Sequence, residues 1–381
     1  MMAQAYRIYD SDAHVMMSQR HWQDLPPEYH LRRPRPAHVG DPDGLGGFTS
    51  LWFVEGRLAP HPWGPGSQPG NIPVRTYDAF PGTPPAFDVS EGSQDLSDPA
   101  ARLKDLDRLG IEVSVIFPTT LYAAMTLDPG LEGALYRSHN RYVGKACQAN
   151  PKRLKWVGLV PLRDPQNGIE ALREMQSLGA AGAVVYGTAG ERPLSDPAFH
   201  PFFDEFQHTG LPLCIHFGQS YPGLEPLTRT MLAGNIIGMS LPAFLAFYAI
   251  TCGGLLDRYP KLKVGFFEFG SEWLLYAVAR IDKYRDMAAA NGMPYNTDIG
   301  GKRALEYVKS GNIFVSGESE DQVLPQEIEL LGEDQFLYSS DFPHPEERDA
   351  GSNEIAERND LTDRQKRKIL WDNAIRFWGN Q

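Results

Sequence analysis

Cysteine is scarce in this sequence. Cys147, Cys214 and Cys252 are the three in 381 residues, widely spaced and without any CxxC arrangement. An odd number cannot all pair with one another, so no disulfide framework is expected and a reducing cytoplasm fits best. Long apolar runs are missing too. The amino terminus reaches the polar stretch Tyr9 to His14 without an apolar signal core. Nothing later approaches the roughly 18 apolar residues that a spanning helix requires, which excludes a membrane partner and a recognisable export signal. Positive charge is in deficit as well: 36 Lys and Arg stand against 48 Asp and Glu, for a net charge of -12. Apart from the short Arg32, Arg33, Arg35 cluster there is no basic run for a phosphate backbone, so nucleic acid is excluded as a partner. No GxGxxG or Walker loop comes after the first strand candidate, which removes the commonest nucleotide folds.

What is present points to a large α/β core. Hydrophobic residues make up 42% and charged residues 22% of the chain, enough to bury a substantial interior. A strand is expected at Tyr6 to Asp10, running straight into Asp12 and His14. From about Pro34 to Asp98 the sequence is dense in Gly and Pro, as in GDPDGLGGF and HPWGPGSQPG, yet carries Trp52, Phe53 and Trp63. A linker would lack such aromatics, so residues 34–98 read as an ordered insertion, or lid, over one end of the fold.

Beyond it the chain alternates regularly. Helix Ala101 to Leu109 precedes strand Val113 to Pro118; helix Leu131 to Asn150 precedes strand Trp156 to Pro161; helix Gly168 to Leu178 precedes strand Ala183 to Tyr186. Helix Ala198 to Thr209, strand Leu213 to His216, helix Ala243 to Leu256 and strand Val264 to Phe269 come next. Helix Trp273 to Met287, strand Ile313 to Val315, helix Pro325 to Leu331, strand Phe336 to Ser339 and a closing helix Thr362 to Trp378 complete the chain. Short apolar strands separated by helices are those of a parallel sheet buried on both faces. Eight of them predict a single (β/α)8 TIM barrel over residues 1–381, with the Gly/Pro-rich insertion after strand 1.

In such a barrel the residues just past each strand converge on one mouth. Strand 1 leads to Asp12 and His14, strand 5 ends in His216, strand 6 in Glu268, and strand 8 in Asp341 followed by His344. Asp12 and His14 are two apart, so an extended backbone sends both side chains to one side. Imidazole with carboxylate suits Zn, Fe, Mn or Co without choosing among them. A bound ion lowers the pKa of its water towards roughly 7 or polarises a substrate oxygen, with Asp341 placed to take or give the proton. Taken singly, each residue also has a structural use: Asp12 and His14 in a turn, His216 as a core histidine, Asp341 as a turn cap, Glu268 as partner to an Arg. Convergence of several strand ends on ligand-type groups favours the functional use. Glu318, Glu320 and Asp321 after strand 7 are a solvated loop face or further contacts. A carboxylate buried at Glu268 needs a metal, a metal-bound water or a cation beside it.

Several segments together resemble a known family. DSDAHV at Asp10 to Val15, LKDLDRLGIEVSVIFPT at Leu103 to Thr119, and PLSDPAFHPFFDEFQHTGLPLCIHFG at Pro193 to Gly218 are similar to the amidohydrolase-2 family, which includes aminocarboxymuconate semialdehyde decarboxylase. So are LDRYPKLKVGFFEFGSEWL at Leu256 to Leu274, YSSDFPHPE at Tyr338 to Glu346 and ILWDNAIRFWG at Ile369 to Gly379. The resemblance implies an amidohydrolase barrel with Asp12, His14, His216 and Asp341 around a divalent metal ion of Zn, Fe or Mn, and a catalytic part for Asp341. Glu268, an extra carboxylate beside them, is a further metal ligand that could bridge or hold a second ion, and by position Glu268 and His344 are further catalytic candidates. Asp12 takes the place of the first histidine of the family's HxH-type pair. Glu268 stands where the family's decarboxylases carry a histidine, so the leading expectation is a metal-dependent hydrolase of a small carboxylated or aromatic substrate. A dinuclear iron or manganese monooxygenase, a decarboxylase and a non-catalytic partner subunit are the alternatives, and the expected assembly is a homo-oligomer (dimer) or a pairing with a related amidohydrolase-like subunit.

Overall fold

The computed structural model of the chain describes residues 6–38, 50–59, 89–90, 92–119, 126–218, 220–227, 233–292, 300–317, 319, 321–343 and 351–379. Its centre is one eight-stranded parallel sheet: β1 (Tyr9–Val15), β2 (Val113–Pro118), β3 (Leu154–Leu159), β4 (Gly182–Val185), β5 (Leu213–His216), β6 (Val264–Phe267), β7 (Ile313–Gly317) and β8 (Phe336–Tyr338). The strands lie side by side in chain order. Hydrogen bonds beyond the end of β8 return to β1, from Asp341 N to Asp12 O at 3.0 Å and from His14 N to Phe342 O at 2.7 Å. This closure makes the sheet a (β/α)8 barrel.

The outer helices are α1 (Pro99–Leu109), α2 (Pro129–Cys147), α3 (Pro165–Ser177), α4 (His200–Phe206), α5 (Leu241–Ile250), α6 (Glu272–Ala290), α7 (Leu324–Leu331) and α8 (Asn373–Trp378). Three of them begin two or three residues before the apolar periodicity does, and the reason is local. Asp98, Asp128 and Asp164 each precede a proline and accept hydrogen bonds from the first turn through their side chains. Proline at the first helical position loses no needed N–H, and the aspartate satisfies the orphan donors behind it. An Asp-Pro pair is therefore the true start signal of α1, α2 and α3.

Strand alternation divides the core into two layers. Ile116, Trp156, Ile215, Phe266 and Val315 point outward against helix residues such as Leu106, Leu172, Phe202, Phe247 and Ile281. Val115, Phe117, Leu159, Val184, Cys214, Phe267, Phe314 and Leu337 fill the inside, where Phe377 and Trp378 of α8 join them. Small residues make room for those two rings: a Cβ added at Gly265 would meet the Phe377 ring at 2.7 Å, and one at Gly182 would meet the Trp378 ring at 2.9 Å. Both glycines lie at the amino ends of their strands, so α8 plugs that end and leaves the opposite end to the mouth.

The first strand departs from the expected Tyr6 to Asp10. It runs over Tyr9–Val15, so Asp12 and His14 lie within it. Polar side chains suggest an early end, but those facing a polar site do not interrupt pairing: Ala13, His14 and Val15 pair with Ile116, Phe117 and Pro118 after a register shift between Asp10 and Ala13. Of the Gly/Pro-rich insertion, residues 39–49, 60–88 and 91 lie outside the described residues. Its described part holds a three-stranded antiparallel sheet, Arg35–His38, Ser50–Val54 and Arg57–Ala59. Trp52 is buried there, edge-on to Trp22. Glu55 receives Arg32 and Thr126, tying the sheet to the loop that leads into α2. Among the described residues no helix is long and apolar enough to cross a membrane.

His21, just beyond β1, is buried and stacks on the buried His139 of α2, with ring centroids 5.2 Å apart. His21 Nδ1 accepts from Ser18 N at 3.1 Å, while its Nε2 and the Nδ1 of His139 make no hydrogen bond. Burial lowers His21 to about 4, partly offset by the nearby Asp95, and pushes His139 well below the usual imidazole range. Both are neutral in the folded protein at pH 7 and bind protons only after unfolding, near pH 6.5. Stability is therefore fully present above pH 6.5 and is lost as pH falls below it. Urea unfolding at pH 7.5 and pH 5 should show this loss, and His139→Phe should make it shallower. An equal loss in both proteins would refute the assignment.

Candidate metal centre

The site is built at the carboxyl ends of β1, β5, β6 and β8. Asp12 and His14 come from β1 and His216 from the last position of β5, and all three are buried. Glu268 comes directly after Phe267. Because Phe267 points into the barrel, simple alternation would send residue 268 outward, against the helices. A left-handed backbone at Glu268 (φ 63°) turns its carboxylate back into the mouth, and Asp341 adopts a similar conformation (φ 60°). Such angles in non-glycine residues cost of the order of 1 kcal/mol and concentrate at functional sites. The turn at Glu268 has no sequence signal, since glutamate rarely takes this conformation, whereas aspartate takes it more readily.

Asp12, His14, His216 and Glu268 each offer one ligand atom, and the four atoms lie within 4.8 Å of one another. His14 Nε2 is 3.5 Å from Asp12 Oδ1, 3.4 Å from Glu268 Oε2 and 3.1 Å from Asp341 Oδ1. His216 Nε2 is 3.6 Å from Asp12 Oδ1 and 3.2 Å from Glu268 Oε2. Donors about 2.1 Å from a shared ion stand roughly 3 to 4.2 Å apart, so these spacings admit one cation. Asp341 stands beside the four, against His14.

Protonation makes the case stronger. His216 Nδ1 lies 2.9 Å from the carbonyl of Phe217 and so must carry the hydrogen. Burial lowers His216 to about 4, more than the nearby Glu268 charge restores, leaving Nε2 as a bare lone pair. That buried Nε2 makes no hydrogen bond, yet faces a carboxylate oxygen 3.2 Å away. Two acceptors in such contact repel unless a cation lies between them, and an imidazole whose far nitrogen is tied to a carbonyl is the usual form of a metal ligand. His14 likewise turns Nδ1 to the Pro118 carbonyl and Nε2 to the cluster; burial lowers it, but the hydrogen bond and charge of Asp341, with Asp12, raise it overall. The donor set fits a divalent metal ion.

A further carboxylate supports this one from below. Asp10 is fully buried and accepts from Ser340 N at 3.0 Å, Ser340 Oγ at 2.8 Å, Ser114 Oγ at 3.1 Å and Asp12 N at 3.3 Å. Arg102 of α1, also buried, donates to the Phe342 carbonyl at 3.1 Å and stacks on its ring. Strand ends alone point to neither residue, although the two-residue repeat Asp10, Asp12, His14 is a signal for the first. Of the remaining candidates, Asp321 accepts from Ser271 Oγ at 2.9 Å and does not belong to the four-residue group. His344, Glu318 and Glu320 lie outside the described residues.

A (β/α)8 barrel whose mouth gathers two imidazoles and two carboxylates at strand ends is a metal-site barrel of the amidohydrolase type. The amidohydrolase family profile matches residues 9–379, and the chain belongs to that family. It is 24% identical over 287 residues to 2-amino-3-carboxymuconate-6-semialdehyde decarboxylase of Dictyostelium discoideum, covering 74% of this chain and 77% of that one. With gamma-resorcylate decarboxylase of Rhizobium sp. (strain MTP-10005) it shares 26% identity over 252 residues, 64% of this chain and 76% of that one. Among solved structures, an amidohydrolase from Mycobacterium avium subsp. paratuberculosis superposes with a TM-score of 0.78 at 20% identity over 100% of this chain and 99% of that one. A 5-carboxyvanillate decarboxylase from Novosphingobium aromaticivorans, solved with manganese, has a TM-score of 0.72 at 20% identity over 98% and 97%.

Elemental analysis of the purified protein should find one divalent ion per chain. His216→Ala removes a donor and should lower metal affinity by at least the 10- to 100-fold typical of perturbed ligand shells, with the far-ultraviolet circular dichroism unchanged. Full occupancy in that variant would show the donor set to be wrong.

Proposed function

We propose that the chain is a metal-dependent decarboxylase that releases the carboxyl group of a small aromatic acid as CO2. The observation that carries this reading is the placement of Asp341 beside the four donors. Its side chain is 23% exposed and 3.1 Å from His14 Nε2, so a substrate entering the mouth meets a carboxyl group held against the metal-binding set. The kinship with decarboxylases supports it. Asp12, His14, His216 and Glu268 would hold the ion. Manganese, present in two structurally similar decarboxylases, is the ion to test first.

When bound, the ion supplies positive charge that holds an ionised oxygen of the substrate. The chain's own residues then have two tasks. Asp12, His14, His216 and Glu268 set the position of that charge, and Asp341 manages the proton. When the bond between ring and carboxylate breaks, CO2 leaves and the electron pair stays on the ring carbon; Asp341 takes up a proton from solvent, delivers it to that carbon and returns to the carboxylate. A positioned acid of this kind contributes about 10² to 10⁴ in rate.

Hydrolysis is the second reading, favoured by one feature: Glu268 is a carboxylate where decarboxylases of the family carry histidine, and a carboxylate is suited to orienting water. Incubating the manganese-loaded enzyme with a panel of hydroxybenzoates and carboxylated catechols, together with their esters and amides, separates the two. Decarboxylation yields one CO2 per substrate consumed, and Asp341→Asn should lower that rate about 10²- to 10⁴-fold. Consumption of an ester or amide substrate without CO2 would overturn decarboxylation in favour of hydrolysis.

We further propose that the described part of the insertion, residues 34–38 and 50–59, packs over the mouth and belongs to the barrel domain, with the burial of Trp52 and the tie from Glu55 to Arg32 and Thr126 in support. Limited proteolysis should find it protected in the presence of an aromatic carboxylate. Excision of the segment with full retention of turnover would rule the cover out.

A further inference from the structure

The backbone N–H of Glu268 donates to the side-chain oxygen of Ser316 on the neighbouring strand β7, at 3.0 Å. Ser316 is 3% exposed and sits two residues beyond Phe314, so it points into the barrel, where every other described β7 side chain on that face is apolar. A hydroxyl is retained among rings only where it has a partner, and its partner here is the residue with the left-handed backbone, φ 63°. The preceding pairs between β6 and β7 run Val264 to Ile313, Gly265 to Phe314 and Phe266 to Val315, and pairing stops there. Ser316 therefore supplies from its side chain the acceptor that the ladder no longer provides.

We propose that Ser316 is a positioning residue for the metal centre: its hydroxyl anchors the peptide group that leads into the left-handed turn at Glu268 and so holds the Glu268 carboxylate at His14 and His216. The inference rests on Glu268 being a metal ligand. Without the hydroxyl, that peptide group loses its anchor, and the turn is no longer held where the Glu268 carboxylate meets His14 and His216. Ser316 does not meet the ion or the substrate in this scheme; it acts through Glu268 alone. Threonine keeps the oxygen and suits a strand, whereas alanine removes it.

The test is titration of Mn2+ into the full-length, chelator-stripped protein, reading free Mn2+ by electron paramagnetic resonance, for the native chain and for Ser316→Ala, Ser316→Thr and Glu268→Gln. Thermal unfolding of each metal-free protein is read in parallel. The expected result is a roughly 10-fold or greater loss of Mn2+ affinity in Ser316→Ala, the scale seen when a group supporting a ligand is removed. Ser316→Thr should stay within about 2-fold of the native chain, and the metal-free melting temperatures of Ser316→Ala and Ser316→Thr should agree within a few degrees. Native affinity in Ser316→Ala together with weakened affinity in Glu268→Gln overturns the positioning role and leaves the ligand set standing. Native affinity in both overturns the ligand reading of Glu268, and the proposal with it.

Discussion

Closing an eight-stranded sheet brings the first strand against the last, and in this chain the seam is also where the charges stand. Asp12 and His14 are on one side of it and Asp341 is on the other. The seam is held by bonds that leave those side chains to the site: Asp341 N to Asp12 O and His14 N to Phe342 O between backbones, and Asp10 to both the N–H and the hydroxyl of Ser340. Each anchors the residue beside or within the donor set. Asp10 must be buried to do this, and burial raises it to about 6 even though its four hydrogen bonds pull the other way. A carboxylate enclosed there is tolerable because it accepts from β1, from β2 and from the segment that follows β8.

The seam also sets the electrostatics. Three carboxylates, Asp12, Glu268 and Asp341, crowd against two imidazoles, and one imidazole presents a lone pair to a carboxylate oxygen. In water such an arrangement would disperse. In a mouth walled by Phe117, which lies against both histidine rings, a common cation would relieve the like charges and lone pairs. The aromatic wall makes an uncompensated charge beside it expensive and a compensated one strong.

Much of this is legible in the sequence because it depends on short-range pattern. Strands β2 and β5 have the bounds that their apolar runs imply, Val113–Pro118 and Leu213–His216. The groups gathered at the mouth are the carboxylates and imidazoles at the points where apolar strand runs stop. Two kinds of feature are not legible in that way. Helix starts governed by capping lie earlier than the apolar period implies, since the period begins after the Asp-Pro pair that opens the helix. β1 extends further than its apolar residues imply, through residues whose polarity reflects the site and not the backbone. Roles that depend on three-dimensional neighbours leave little trace: Ser316 is one serine in an apolar strand, and Arg102 is one arginine in a charged helix, until the fold brings them to Glu268 and Phe342.

The two left-handed residues connect these levels. A barrel strand that continued its alternation past Phe267 would aim residue 268 at the helices, so a ligand can be taken from that position only by breaking the alternation. Glycine would break it cheaply but offers no carboxylate; glutamate offers the carboxylate and carries the strain. That strain is sustained only where neighbours over-determine the turn, here Ser316 on one flank and the donors facing Glu268 on the other. Asp341 repeats the solution at the seam, its N–H bound to Asp12 O and its preceding serine bound to Asp10. Rigid strands thus supply three of the donor groups directly, through Asp12, His14 and His216. The two most exposed of the set are delivered by strained turns, which is where variation in reaction chemistry within one barrel is most easily accommodated.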